Sequence, residues 1–224
     1  MKTIFIMAVS MIVAMASVQA QSSFGIRAGT NLATWGYHFE DAEAEQEMRD
    51  ITSIQPLLQG AIFFRQQFNH LAIQPEFCIV QKGTLLDYSE DDYQYHVIGT
   101  LNYAEVPLLL KGVWGTEKQF TVFGGPAFSY GISGVAKSVQ ISNGEKTRDK
   151  QKINWEDEGF NRFEVGVQAG IGGSFKAGRG AVELEARYEY GITNLASDET
   201  SRDKIANRGL AISVGYTLPL VNKK

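Results

Sequence analysis

Apolar and polar residues alternate with a period of two along eight segments of the chain, the mark of strands whose two faces meet different surroundings. In the first, Phe24, Ile26, Ala28, Thr30 and Leu32 alternate with Gly25, Arg27, Gly29 and Asn31. The second, Ile54 to Arg65, sets Leu58, Gly60, Ile62 and Phe64 against Gln55, Gln59 and Arg65. The third sets Leu71, Ile73, Pro75, Phe77 and Ile79 against Gln74, Glu76, Cys78 and Lys82, and the fourth Ala104, Val106, Leu108 and Leu110 against Glu105, Pro107 and Lys111. Phe120 to Gly131, Phe163 to Phe175, Val182 to Tyr190 and Leu210 to Leu218 repeat the pattern. A helix, with its period of 3.6, would not sustain it.

The connections alternate in length. Gln66 to Asn69, Gly112 to Gln119 and Lys176 to Arg179 are short, whereas Thr34 to Ser53, Gly83 to Thr100, Ile132 to Arg162 and Ile192 to Asn207 are long. Short turns at one end and long loops at the other predict an all-β fold, an eight-stranded antiparallel up-and-down barrel. Closure removes the edges that an open sheet would expose. A short helix is expected at Ala42 to Met48.

Alternation does not say which face is inside. With the apolar face inward, the chain is a soluble, lipocalin-like ligand-binding barrel; with it outward, a transmembrane one. Three features favour the second. Gly29, Gly125, Gly166, Gly170, Gly172 and Gly215 fall on the polar face, where a narrow lumen needs small residues beside long ones. That face also carries matched charges: Arg27, Arg65, Lys82, Lys111, Arg162 and Arg187 against Glu76, Glu105, Glu164, Glu183, Glu185 and Glu189. A plugged lumen requires such pairing, since an unpaired buried charge costs several kcal/mol; Arg65, Lys82 and Arg162 are expected at the wet rims. Finally, aromatics gather at the two strand ends. Trp35, Tyr37, Tyr130, Phe160, Phe163, Tyr188 and Tyr190 lie toward the long loops, and Phe24, Phe64, Phe68, Trp114, Phe120, Phe175 and Tyr216 toward the short turns, as two membrane interfaces require.

Composition narrows the setting. Lys2, the apolar run Ile4 to Ala16 broken only by Ser10, and Val18-Gln19-Ala20 read as a cleaved secretory signal over residues 1–20. The run is too short to span a bilayer. Residues 21–224 then form one barrel domain, and loss of Lys2 moves the formal charge from the −4 of the 224-residue chain to −5. Export and acidity exclude a nucleic-acid partner. The single cysteine, Cys78, allows no intrachain disulfide.

Several stretches resemble the PorT-like outer-membrane β-barrel family of gram-negative cell envelopes. They are Phe24-Gly25-Ile26-Arg27-Ala28-Gly29-Thr30-Asn31-Leu32, Tyr103 to Lys111, Phe123-Gly124-Gly125-Pro126, Ala186 to Asn194, and Arg208 to Leu218. The resemblance covers essentially the whole exported chain and implies a barrel type rather than an activity. It also implies outer-membrane placement with both termini periplasmic, and an accessory role in protein secretion as one option.

Candidate chemistry is sparse. Gly170-Ile171-Gly172-Gly173 lies inside a strand and not before a helix, so it is no phosphate loop. One cysteine cannot build a thiolate zinc site, and no cofactor is expected. His38 or His96 with Ser89 and Asp91 could be drawn as a rim triad, but solvated loop histidines are the plainer reading. Glu183, Glu185 and Glu189 suit ion pairs with Arg187, Arg27 and Lys111 better than acid–base catalysis in a lumen too narrow for a sugar. The lumen network is therefore expected to comprise Arg27, Glu76, Glu105, Lys111, Glu164, Glu183, Glu185, Arg187 and Glu189. Two loops are acidic. Thr34 to Ser53 carries Glu40, Asp41, Glu43, Glu45, Glu47 and Asp50 against Arg49, and Gly83 to Thr100 carries Asp87, Glu90, Asp91 and Asp92 with no cation. Glu40, Asp41, Glu43, Glu45, Asp87, Asp91 and Asp92 are candidates to meet divalent cations bridging lipopolysaccharide, or a basic partner. The expected function is a non-enzymatic envelope barrel, plugged and presenting loops to outer-membrane lipid, lipopolysaccharide, an envelope protein or a surface ligand. A small pore and the soluble ligand-binding barrel are the alternatives.

Overall fold

The computed structural model describes residues 21–90, 93–142, 145–155, 159–197 and 202–220. The segment 1–20 expected to be a secretory signal, Asp91 and Asp92, and the last four residues lie outside them. The alternating segments form strands β1 (Gln21–His38), β3 (Gln55–Phe68), β4 (Leu71–Glu90), β5 (Tyr93–Gly115), β6 (Lys118–Ser142), β8 (Phe163–Ala177), β9 (Gly180–Gly191) and β10 (Lys204–Pro219). Three further elements sit between them: α1 (Ala42–Ile51), β2 (Thr52–Ser53) and β7 (Glu145–Lys152). Each of the eight long strands pairs antiparallel with its neighbours in chain order. The first closes on the last, from Ser23 opposite Pro219 to His38 opposite Lys204.

The barrel is inverted relative to a soluble protein. Ile26 and Ile212 are 56% and 57% exposed, while Lys111 is 0% exposed. Val106, Leu108, Val167 and Leu184, which a soluble barrel would turn into its cavity, also face outward. The ligand-binding alternative is thereby overturned. Charges turn inward because the outer face must match hydrocarbon, and a closed ladder satisfies every backbone group that lipid cannot.

All three short turns are tighter than expected, two residues each: Asn69–His70, Thr116–Glu117 and Gly178–Arg179. Asn69 (φ 51°) and Gly178 (φ 63°) adopt the left-handed conformation such turns demand. The opposite end departs further from expectation. Gly83 to Thr100 is a continued hairpin and not a loop, with β4 and β5 paired as far as Glu90 opposite Tyr93. β6 likewise runs on to Ser142, and β7 turns back along it. At 23 and 25 residues, β5 and β6 are more than twice the roughly 9–11 residues a bilayer needs. The helix extends three residues beyond expectation. Asp41 caps it, accepting from the backbone N–H of Glu43 at 2.9 Å and of Ala44 at 3.4 Å.

The mouth at this end is filled by an apolar cluster of Val80, Leu101, Tyr103, Trp155 and Leu195, packed by Trp35, Ile153, Phe160 and Ile205. Trp35, Tyr37 and Phe160 therefore do not join the outer aromatic belt: Tyr37 is buried and the other two seal the mouth. They sit on strand ends and loops that fold back over the lumen, so distance from the turn misplaced them. The Trp155 indole lies edge-on to Tyr103, centroids 5.6 Å apart. It occupies the space where a Cβ on Gly131 would stand.

Candidate functional site

Below that cap the lumen is an ion-pair network to which all eight barrel strands contribute. Its geometry follows from parity: β9 places Glu183, Glu185, Arg187 and Glu189 on one face because successive side chains alternate. In the lower layer Arg65 forks both carboxylate oxygens of Glu183 at 2.7 Å, and Thr217 Oγ donates to the same group at 2.6 Å. Arg187 grips Glu76 with both terminal nitrogens, at 2.9 and 3.0 Å, and reaches Glu185 at 2.9 Å. Arg27 reaches Glu76 at 2.6 Å, and Lys111 pairs with Glu185. Such two-pronged contacts fix geometry as well as charge.

The upper layer is built differently. Lys82 stands among three carboxylates, Glu105 at 2.8 Å, Glu164 at 3.1 Å, and Glu189. Ser129 donates to Glu105 at 2.8 Å, Gln168 to Glu105 at 2.7 Å and Asn207 to Glu164 at 2.5 Å. Gln168 also accepts from Arg187 at 3.0 Å, tying the layers together. Aromatic faces back the cations: Lys111 Nζ lies 4.4 Å and the Arg187 guanidinium 5.0 Å from the Phe123 ring centre. Phe123, Phe63 (its ring centre 5.4 Å from the Arg65 guanidinium), Ser129, Asn207 and Thr217 carry no charge and so fall outside the network expected from sequence; their inward parity is the available signal.

Two expectations need correction. Arg65 and Lys82 are not at wet rims, being 5% and 2% exposed. Both strands run further than the alternation suggested, which places these residues inside. Arg162 is half-buried near the mouth, where its carbonyl accepts from the Gly131 N–H at 2.7 Å. Among the described residues the buried lumen thus holds five cations against six carboxylates, and the surplus acid sits around Lys82. Toward the short turns, a vestibule of about 310 Å³ has the Arg65–Glu183 pair in its lining.

The acidic loop residues are dispersed. Glu40 pairs with Arg202 at 2.9 Å, and Asp41 caps α1 while Glu43 lies exposed on it. Glu45 accepts from the Phe39 N–H at 2.8 Å and pairs with Arg49. Those contacts, the backbone N–H first, hold its carboxyl below the ordinary glutamate range. Asp87 pairs with His96 at 2.9 Å. Asp91 and Asp92 are outside the described residues, and with Asp91 goes the proposed triad acid. Among the described residues no three acids, histidines or cysteines are arranged to hold a metal.

A charged, hydrogen-bonded interior inside eight strands with an apolar exterior is what a membrane barrel requires, and residues 19–197 match the family described as outer membrane protein beta-barrel domain. The chain belongs to this family. It is an outer-membrane β-barrel, built on an antiparallel ring of eight strands. No curated protein matches it in sequence. Among solved structures it is similar to Ail, the attachment invasion locus protein of Yersinia pestis, at 14% identity over 90% of this chain and 100% of that one, TM-score 0.42. It is similar also to Neisserial surface protein A, at 13% identity over 87% and 96%, TM-score 0.35. The Escherichia coli outer membrane protease OmpT is a third, at 10% identity over 92% and 100%, TM-score 0.32.

Proposed function

We propose that this outer-membrane barrel is non-enzymatic, closed to ion flow, and serves to hold a rigid sheet outside the cell as an interaction surface. The observation that carries the reading is the continuation of β4, β5 and β6 well past the barrel, joined by β7, above a lumen filled by paired charges. A channel would need a water path through Arg187, Glu76 and Lys82, each held by two or more partners. An interaction surface needs rigidity outside the bilayer, and the continued ladders supply it. In this reading the termini and short turns face the periplasm, and envelope lipid, lipopolysaccharide or an envelope protein meets the sheet.

Two measurements test this. In planar bilayers the purified protein is expected to give no stable openings; a steady conductance would overturn the closed lumen. Cys78 is 1% exposed, so the native chain gives little background to a membrane-impermeant maleimide. Thr147→Cys should label on intact cells and Glu117→Cys only after permeabilisation, and the reverse pattern would overturn the orientation. The finer role, an accessory of protein secretion, rests on the motif resemblance to the PorT-like family. A deletion strain that secretes normally would remove it.

A further inference from the structure

The sheet that projects from the barrel has two faces of opposite character. Below it, Leu101 and Tyr103 point into the lumen and are wholly buried, so residues of the other parity on β5, such as Thr100, face outward. Thr100 stands opposite Val135 of β6, and Val135 opposite Lys152 of β7. Directly paired residues share a face. Lys152, Lys150, Arg148 and Lys146 therefore all project outward, with Lys137 beside Lys150. The inward parity of β7 holds Glu145, Thr147, Asp149 and Gln151. Ile153, the next inward residue, packs into the cap and fixes this assignment. Every residue of β7 is exposed. A chain of net charge −4, with two strongly acidic loops, thus concentrates five cations and no acid on one face of one hairpin.

That face is continuous with the lipid-facing surface. On β6 the outward residues below it are Phe128, Tyr130 and Ile132, all about half exposed, and Lys152 lies level with a position five residues past Tyr130. Its normal points sideways, toward molecules of the same leaflet. From Lys152 to Lys146 the ladder runs about 20 Å along the strand, whereas a phospholipid headgroup layer is only about 5–7 Å thick. A single phosphate layer would leave the upper cations unmatched. A headgroup with several anionic groups stacked outward would engage them all.

We infer that the outer face of the β6–β7 hairpin is a docking site for the phosphorylated sugar headgroup of a glycolipid of the lipopolysaccharide type, in the leaflet at the long-loop end. This rests on the reading of that end as an interaction surface and names its partner. Charge complementarity and continuity with the lipid-facing band select a lipid occupant over a soluble polyanion.

The test uses the full exported chain in phosphatidylcholine nanodiscs supplied with rough lipopolysaccharide, its dephosphorylated form, or phosphatidylglycerol, with bound lipid counted by native mass spectrometry. Phosphorylated lipopolysaccharide should be retained over both others. Retention should fall about fivefold for each cation removed among Lys146→Gln, Arg148→Gln, Lys150→Gln and Lys152→Gln. Glu145→Gln with Asp149→Asn, on the opposite face, should not lower it. Equal retention by the fourfold variant, or of the dephosphorylated form, would overturn the site. Phosphatidylglycerol retained as well as lipopolysaccharide would overturn the extended headgroup, and displacement by a soluble sulfated oligosaccharide at matched charge would overturn the lipid source. Nanodiscs carry the glycolipid on both sides, so this outcome is independent of the cell-labelling result that decides orientation.

Discussion

The lower and upper halves of β4, β5 and β6 belong to the same strands and the same ladders, yet they follow opposite rules. In the bilayer each strand has an apolar face toward lipid and a charged face toward the lumen, and Lys82, Glu105 and Ser129 are buried in mutual contact. Above it the same strands carry Ser89, Gln94, His96, Lys137 and Gln140 on faces open to water. A buried charge must be matched by a neighbour, because removing one partner strands the other. An exposed charge is screened and costs little. One ladder therefore supports two kinds of surface, a network fixed by folding below and one whose charges the fold leaves unconstrained above.

The comparison breaks most sharply at lysine. Lys82→Met leaves Glu105, Glu164 and Glu189 without a cation, and the cost should be about 3–5 kcal/mol. Lys150→Met, the same change in the extension, should stay within about 0.5 kcal/mol. Urea unfolding in detergent, followed by the heat-sensitive shift of the folded band on gels, measures both. Adding Glu105→Gln and Glu189→Gln to Lys82→Met should restore part of the loss; no recovery would mean that Lys82 acts through packing alone.

The outer face gives the next largest contrast. Val167 is a lipid-facing residue of β8, and Val167→Arg should cost about 2–4 kcal/mol for folding into bilayers if it lies near the midplane. Val139→Arg, on the outward face of the extension, should cost almost nothing. Equal penalties would move the membrane boundary up the sheet. At the junction of the two halves, Gly131→Ala pushes a methyl group into the Trp155 ring. Overpacking of this kind costs about 1–3 kcal/mol, and tryptophan emission should shift red as the cap loosens.

The same contrast explains what could be read from the chain. Where lipid and lumen differ, the period of two is clear, and Arg27, Glu76 and Lys111 fall on the inner face by parity alone. Above the bilayer both faces meet water, so Tyr88 to Gln94 and Ser142 to Lys152 show no apolar period and read as loops. Strand pairing there is carried by the neighbouring ladder, which leaves no trace in hydropathy. Trp35, Tyr37 and Phe160 were misplaced for a related reason. An aromatic near a strand end suits a membrane interface, but it suits a sealed mouth equally, and only the returning loops decide. The pairings Arg65–Glu183 and Lys82–Glu189 join residues more than a hundred positions apart, which parity cannot choose among.

The smallest effect lies in the loop that precedes β2, where charge meets water. Glu45 is held below the ordinary glutamate value of about 4.3, first by the Phe39 N–H and then by Arg49. A carboxylate whose pKa is lowered on folding stabilises the fold above its unfolded pKa, and that contribution disappears as pH falls through the lowered folded value. The seating of α1 on β1 should thus be unchanged between pH 8 and pH 5 and weaken only at more acid pH. The Phe39 amide resonance should report it, titrating with a midpoint below about 4.3 and losing that titration in Glu45→Gln. A midpoint at or above the ordinary value would detach Glu45 from Phe39 and leave α1 held by its Asp41 cap and by the Thr52 hydroxyl on Tyr37 at 3.1 Å. Meanwhile the barrel below should be indifferent to Glu45→Gln in urea unfolding, since the partners of this loop acid, Phe39, Arg49 and His38, stand apart from the lumen network.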